Sequence, residues 1–299
     1  MIYPKPLNPG DVVAIVSPAS KIKPEYVDGA CATLRRWGYE PRVAEHCLGE
    51  HGSFSGTRDE RLGDLRSALT DPSVRAVLCS RGGYGVVHLL EGLRDADFVD
   101  DPKWIIGFSD ISLLHAAAHR AGVASIHSSM AKHLTERPDD DCSASLRAIL
   151  SGEFPSYSEP GRPDNRLGVA QGTIVGGNLA VLAAIIDSKW DLFTRDNILF
   201  IEDIAEPIYN VERQLYNLRL NGTLARTRGI VFGQFTDYKP DRDHQTMEEM
   251  LARFVSDLDI PVALHFPIGH VDRNLPIVEG AQATLEVTEQ RVNLTLCKS

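Results

Sequence analysis

Apolar runs of strand length alternate with stretches of helical spacing along the first half of the chain. Asp11 to Val16 (DVVAIV) reads as a buried strand, and Glu25 to Trp37 carries Val27, Cys31 and Leu34 at helical intervals before Gly38 closes the helix. Thr57-Arg58-Asp59-Glu60 is a capping box that opens a helix with Leu62, Leu65 and Leu69, and Asp71-Pro72 should end it. Val74 to Cys79 is the next strand, followed by the loop Arg81-Gly82-Gly83-Tyr84-Gly85 and an expected helix over Val86 to Leu93. A further apolar run, Trp104 to Phe108, meets Ser109 and Asp110. A helix with Ile111, Leu114 and Ala118 on one face comes next. Val123 to Ile126 and Ser143 to Leu150 add one more strand and one more helix. Such alternation implies a parallel sheet flanked by helices, an α/β domain whose ligands sit beyond the carboxyl ends of the strands. The Gly-rich loop and Ser109 both follow strands, so both belong at that end.

Gly152 to Gly168 collects Pro155, Pro160 and Pro163 with three glycines, which marks a linker over residues 156–170 between domains at 1–155 and 171–299. Beyond it the pattern changes. Gly172 to Val175 leads into Gly176-Gly177-Asn178, and helices are expected at Leu179 to Ile186 and Tyr209 to Leu220. Strands are expected at Ile198 to Ile201 and Ile230 to Phe235, with a hairpin within Ala283 to Leu296. The second domain is therefore smaller, mixed α+β and rich in strands.

The chain has 299 residues, room for roughly two domains of ~150 residues each, and 43% hydrophobic residues can form substantial cores. No apolar run approaches the ~20 residues that span a bilayer, and MIYPKPLNPG has neither the basic nor the apolar region of a signal peptide, so a cytoplasmic protein is expected. Five scattered cysteines without C-x-x-C spacing indicate neither a disulfide framework nor a zinc ribbon. A net charge of −10 with acids and bases interspersed argues against nucleic acid or an anionic membrane as partner. A small ligand is expected.

Ser109 stands where a strand gives way to a helix. That is the setting of a nucleophile elbow, in which the next backbone N–H, of Asp110, points at the attacked group. The common elbow reads G-x-S-x-G, whereas Gly107-Phe108-Ser109-Asp110 continues into Ile111, and Ser109 or Asp110 could instead cap the helix. The glycines of 81–85 offer unhindered N–H groups to an oxyanion, or form a tight turn. Neither a phosphate loop nor a dinucleotide fingerprint is completed there. Glu202 and Asp203 end an apolar run, with Glu202 on the face of Ile198 and Phe200, either to orient a histidine or to return the chain to water. His270, in the polar loop Pro267 to Asn274, is a candidate base, one of ten histidines. His115 and His119, at i and i+4, have the spacing of zinc ligands, but no H-E-x-x-H glutamate or third ligand accompanies them, so no metal is expected.

Taken together, Gly10-Asp11 with Ser17-Pro18-Ala19, Arg81 to Gly85, Gly107 to Asp110, Gly176 to Ala180, Leu199 to Asp203, Val211-Glu212-Arg213 and Gly269-His270 resemble the serine LD-carboxypeptidases that process murein peptides. The resemblance covers nearly the whole chain. It implies a Ser-His-Glu triad of Ser109, His270 and Glu202, an oxyanion hole from the N–H groups of Gly83 and Asp110, no cofactor, and a homodimer acting on a small muropeptide. Arg81 and Asn178 lie in the matched blocks as candidate substrate contacts. Microcin C self-immunity peptidases resemble the same blocks and cleave an acyl-sulfamoyl adenylate. For that substrate Trp190 is the candidate aromatic platform, with core packing as its alternative. A non-catalytic small-ligand binding protein is the reading from another class.

Overall fold

The computed structural model describes residues 1–193 and 196–298. The expected second domain includes Thr194, Arg195 and Ser299, which lie outside the described residues. The chain divides into two units, Met1–Glu153 with Leu275–Glu279, and Phe154–Asn274 with Gly280–Ser299.

In the first unit, strands β1 (Val12–Val16), β2 (Glu40–Val43), β3 (Val74–Cys79), β4 (Trp104–Gly107) and β5 (Ser125–His127) are parallel. They are joined through helices α1 (Pro24–Arg36), α2 (Arg58–Thr70), α3 (Ala96–Val99) and α4 (Ser112–Arg120), and α5 (Ala131–Glu136) and α6 (Asp141–Leu150) follow. The sheet order is β5-β4-β3-β1-β2, with the segment Ile277–Glu279 added antiparallel beside β5. β1 is buried from Val13 to Val16 and β3 from Ala76 to Cys79, as strands covered on both faces must be. The connections run in opposite directions from β1 and β3. The loops after these strands therefore diverge and leave the crevice that doubly wound sheets use for ligands. Ser17 to Ser20 follow β1, Ser80 to Gly85 follow β3, and Ser109 follows β4, all at that end.

Two segments differ from expectation. Residues 86–93 form two 3₁₀ turns, Val86–His88 and Leu90–Gly92, in place of one helix. Their carbonyls are taken by i+3 amides, Leu89 N–H to Val86 O at 2.8 Å and Leu93 N–H to Leu90 O at 3.2 Å, so the α-helical pattern never starts. The stretch expected as linker contains strand β6 (Ser156–Pro160), with Tyr157 buried and its neighbours outward; the surrounding prolines hide this alternation.

The second unit continues with β7 (Gly168–Asn178), α7 (Leu179–Ala183), β8 (Asn197–Ile204), α8 (Ile208–Leu220), α9 (Thr223–Arg226), β9 (Gly229–Thr236), α10 (Met247–Phe254) and β10 (Val262–Ala263). The strand at Ile277–Glu279 is β11, and β12 (Gln282–Val287) and β13 (Arg291–Cys297) form the expected hairpin. One seven-stranded sheet runs β10-β9-β8-β7-β12-β13-β6, parallel from β10 to β7 and antiparallel from β7 to β6. β8 lies inside the parallel part. Its residues from Asn197 to Asp203 are all buried, which places a carboxylate on this strand out of water.

Candidate active site

In the first unit, β4 delivers an extended Phe108 (φ −153°, ψ −175°), and Ser109 then turns into the left-handed region at φ 67°. A side chain in that conformation crowds its own carbonyl, at a cost of about 1–2 kcal/mol. A 3₁₀ turn, Ser109–Ile111, leads directly into α4. Strand, strained corner and helix are the parts of a nucleophile elbow. Neither the turn nor α4 has a side-chain cap, so the capping alternative is not what the structure shows. The Asp110 carboxylate instead accepts the Val86 N–H at 2.9 Å. Burial pushes its carboxyl up to about 6, against that hydrogen bond and the Arg61 charge.

The Gly-rich loop lies against this corner. A Cβ on Gly82 would come within 2.9 Å of Ser109 Cβ and 3.1 Å of its Oγ, and one on Gly83, already at φ 105°, would strike the Ser20 side chain. Ser20 holds the loop from the other side, its N–H donating to Gly82 O at 3.2 Å and its Oγ accepting from Tyr84 N–H at 3.3 Å. The close approach that glycine permits thus brings backbone up to Ser109. Arg81 is exposed at the rim, donating to Lys21 O at 3.0 Å.

In the second unit, Glu202 sits within β8 and is fully buried, so it is not a strand-end acid returning to solvent. Its Oε2 lies 2.7 Å from Nδ1 of His270. A carboxylate only accepts, so Nδ1 carries the hydrogen and Nε2 is the nitrogen that can take a proton. Gly269, at φ 116°, makes the contact possible, since a Cβ there would stand 2.7 Å from Oε2 and 2.8 Å from Glu202 Cβ. Its N–H donates to the buried Asn274 Oδ1 at 2.8 Å, which fixes the loop that carries the imidazole. Burial presses the His270 imidazolium downward, but the hydrogen bond and charge of Glu202, aided by Asp203 and Asp237, outweigh it and hold the pKa above its ordinary value.

Residues 13–128 match the model of the LD-carboxypeptidase N-terminal domain, and residues 171–285 that of the LD-carboxypeptidase C-terminal domain. The chain belongs to the LD-carboxypeptidase family. The murein tetrapeptide carboxypeptidase of Pseudomonas aeruginosa is 32% identical over 289 residues, covering 92% of each chain. The muramoyltetrapeptide carboxypeptidase from Oxalobacter formigenes superposes with a TM-score of 0.88 at 27% identity, over 95% of this chain and 98% of that one. The microcin C7 self-immunity protein MccF shares the fold, with a TM-score of 0.88 at 22% identity over 99% of this chain and 98% of its own. Family membership makes this chain a serine-type LD-carboxypeptidase.

The remaining expected residues of this LD-carboxypeptidase are placed as follows. Asn178, 3% exposed, donates from Nδ2 to Asp203 Oδ1 at 2.9 Å, and its Oδ1 caps α7 by accepting Val181 N–H at 3.1 Å. Asp203 also accepts the N–H groups of Ala180 and Ile204, each at 2.8 Å. Burial, then the Glu202 charge, pushes its carboxyl up to about 7. The neighbouring acids thus divide, Glu202 to His270 and Asp203 to the start of α7. Trp190 is half-buried with the Lys189 ammonium 4.3 Å from its ring centre. His115 uses both ring nitrogens internally. Nε2–H donates to Gly107 O at 2.9 Å, and Nδ1 accepts from the Ser125 hydroxyl at 2.8 Å, so the zinc-like spacing with His119 serves to fasten α4 to the strands beside Ser109.

Sequence reasoning did not single out Ser20, Arg61, Asn178 as a cap, or Asn274 as a brace. Arg61 carried a signal, because i+4 from it is Leu65 and i+7 is Ala68, which puts a guanidinium on the inward face of α2.

Proposed function

We propose that Ser109, His270 and Glu202 form a catalytic triad that removes the terminal D-alanine from murein tetrapeptides through an acyl-enzyme. His270 Nε2 takes the proton as Ser109 Oγ attacks the carbonyl joining an L-configured centre to D-alanine. The N–H groups of Gly83 and Asp110 receive the oxyanion, and the imidazolium protonates the departing amine. Water, activated by the same imidazole, then releases the tripeptide. Glu202 holds the tautomer and stabilises the imidazolium. No metal or other cofactor enters this chemistry. The observation that carries the reading is the fully buried Glu202 carboxylate 2.7 Å from His270 Nδ1, a pairing that leaves Nε2 as base. Relatives named for murein tetrapeptides support this choice of substrate.

Arg81, exposed at the start of the loop, attracts a substrate carboxylate in this reading. The enzyme works in the cytoplasm as a homodimer on small muropeptides. All five cysteines are free thiols, in keeping with a reducing compartment, and no helix among the described residues is long and apolar enough to cross a membrane.

The test is to incubate purified protein with L-Ala-γ-D-Glu-meso-diaminopimelate-D-Ala, its lysine analogue and an aminoacyl-sulfamoyl adenylate, and to follow the products by mass. Release of D-alanine from a tetrapeptide is expected. Cleavage of the adenylate alone would replace this reading with the self-immunity activity, and no cleavage of any of the three would remove it.

A further inference from the structure

Arg61 is 3% exposed, yet no carboxylate is hydrogen-bonded to it among the described residues. Nε donates to Gly56 O at 3.2 Å and Nη1 to Pro18 O at 2.7 Å and Gly85 O at 3.0 Å, carbonyls of three different loops, while Nη2 lies 3.5 Å from Nδ1 of His88. The guanidinium also lies 4.7 Å from the Phe54 ring centre, and a Cβ on Gly85 would come 2.8 Å from Nη1, so the Gly-rich loop is packed directly on this side chain. Burying a cation without a bonded counter-ion is costly, and helix α2 would gain by replacing it with an apolar residue. The charge that faces it is Asp110, whose carboxylate holds the far end of the same loop through Val86 N–H. Asp110 is also the residue after Ser109. One side chain thus ties the strained corner to the loop, and the other ties the loop to the β1 and α2 ends of the crevice.

We propose that Asp110 and Arg61 are positioning residues of the reaction, fixing the Gly82–Val86 backbone against Ser109 so that its N–H groups meet the developing oxyanion. This rests on the catalytic reading given above. Oxyanion donors act through placement to within a fraction of an ångström, so loosening the loop should slow the chemical step and leave substrate binding nearly intact. The groups facing the Asp110 carboxylate are Arg61 from α2, the Val86 amide and the Cys79 thiol of β3. Asp110 must keep its negative charge to hold Arg61, so turnover should depend on its ionisation as well as on that of His270.

The experiment measures kcat and KM for wild type, Asp110→Ala, Asp110→Asn and Arg61→Lys. Each rate is normalised to the Ser109 sites titrated by a fluorophosphonate, so that misfolded protein is not counted. Asp110→Ala and Arg61→Lys should lose roughly 100-fold in kcat, with KM within about twofold. Asp110→Asn, which keeps an acceptor for Val86 N–H but lacks the charge that faces Arg61, should recover only part of that loss. In wild type the acidic limb of log kcat/KM should be steeper than one proton between pH 5 and 6, and in Asp110→Asn it should return to one. The limb decides the matter even if Asp110→Ala does not fold. A wild-type enzyme that turns over without phosphonylation at Ser109 would remove the underlying reading. Labelled wild type with an Asp110→Asn limb as steep as its own, or variants with unchanged kcat per titrated site, would overturn the proposal alone.

Discussion

The role proposed for His270 rests on two neighbours, a buried carboxylate and a glycine. Gly269→Ala would force an alanine into φ 116° and its Cβ to 2.7 Å from Glu202 Oε2, so the two side chains must part. Strain of about 1–3 kcal/mol should lower the melting temperature by several degrees, and kcat should fall at least ~10-fold. Glu202→Gln tests the electrostatics. Because Glu202 stabilises the imidazolium and holds the His270 pKa above its ordinary value, its removal should move the acidic limb of kcat/KM to lower pH. An unchanged limb would separate the two residues. The sign also holds for stability. The stabilisation by this pair is full below the unfolded histidine value near ~6.5 and fades as pH rises through the raised folded value, so Glu202→Gln should be most destabilising in mildly acidic solution. Ser109, Glu202 and His270 stood out as candidates because each ends an apolar run or follows a glycine, and only the resemblance to the family joined them into one triad. Arg61 and Asn274 were not singled out: Asn274 accepts from Gly269 within its own loop, and Arg61 donates to Gly56, Pro18 and Gly85, backbone groups whose positions only the fold defines.

At the level of elements, α2 and α4 matter most because they carry Arg61 and fasten Ser109. The capping box of α2 is formed as expected, with Thr57 Oγ1 accepting Glu60 N–H and Glu60 accepting Thr57 N–H at 2.7 Å. Thr57→Ala should cost about 1 kcal/mol, read as a lowered denaturation midpoint with unchanged m-value. His115→Ala should lower stability more than rate, as it strips partners from Gly107 O and Ser125. Burial holds the His115 imidazole down to about 4, so its contribution is complete above about 6.5 and is lost as pH falls toward 4. Wild type should therefore unfold more readily across that window, and a variant with neutral Gln at position 115 should show less of this acid sensitivity. The strands β1, β3, β4 and β8 could be read from their apolar runs. β2 and β6 could not, being short and half-exposed, with prolines in or beside them. β11 is a strand only because it finds β5 some 150 residues away, a pairing no local pattern encodes.

For the molecule as a whole, the two-domain α/β plan followed from the change of pattern near residue 155, and the described boundary falls at Glu153 and Phe154. The return of Leu275–Glu279 to the first unit was not legible, because nothing in so short a stretch names the sheet it joins. Serine acyl transfer makes one global demand: dialysis against EDTA should leave turnover unchanged, whereas a zinc-dependent hydrolase would stop and be restored by added zinc. The central proposal is that Ser109, His270 and Glu202 act as a single device. Its most direct test is the kinetics of Ser109→Ala, His270→Ala and the double variant on the diaminopimelate tetrapeptide. Groups that work together are lost together, so each single variant should fall by about 10⁴ or more in kcat and the double variant should be little worse than either. If the two losses multiply instead, the residues act independently and the triad is wrong.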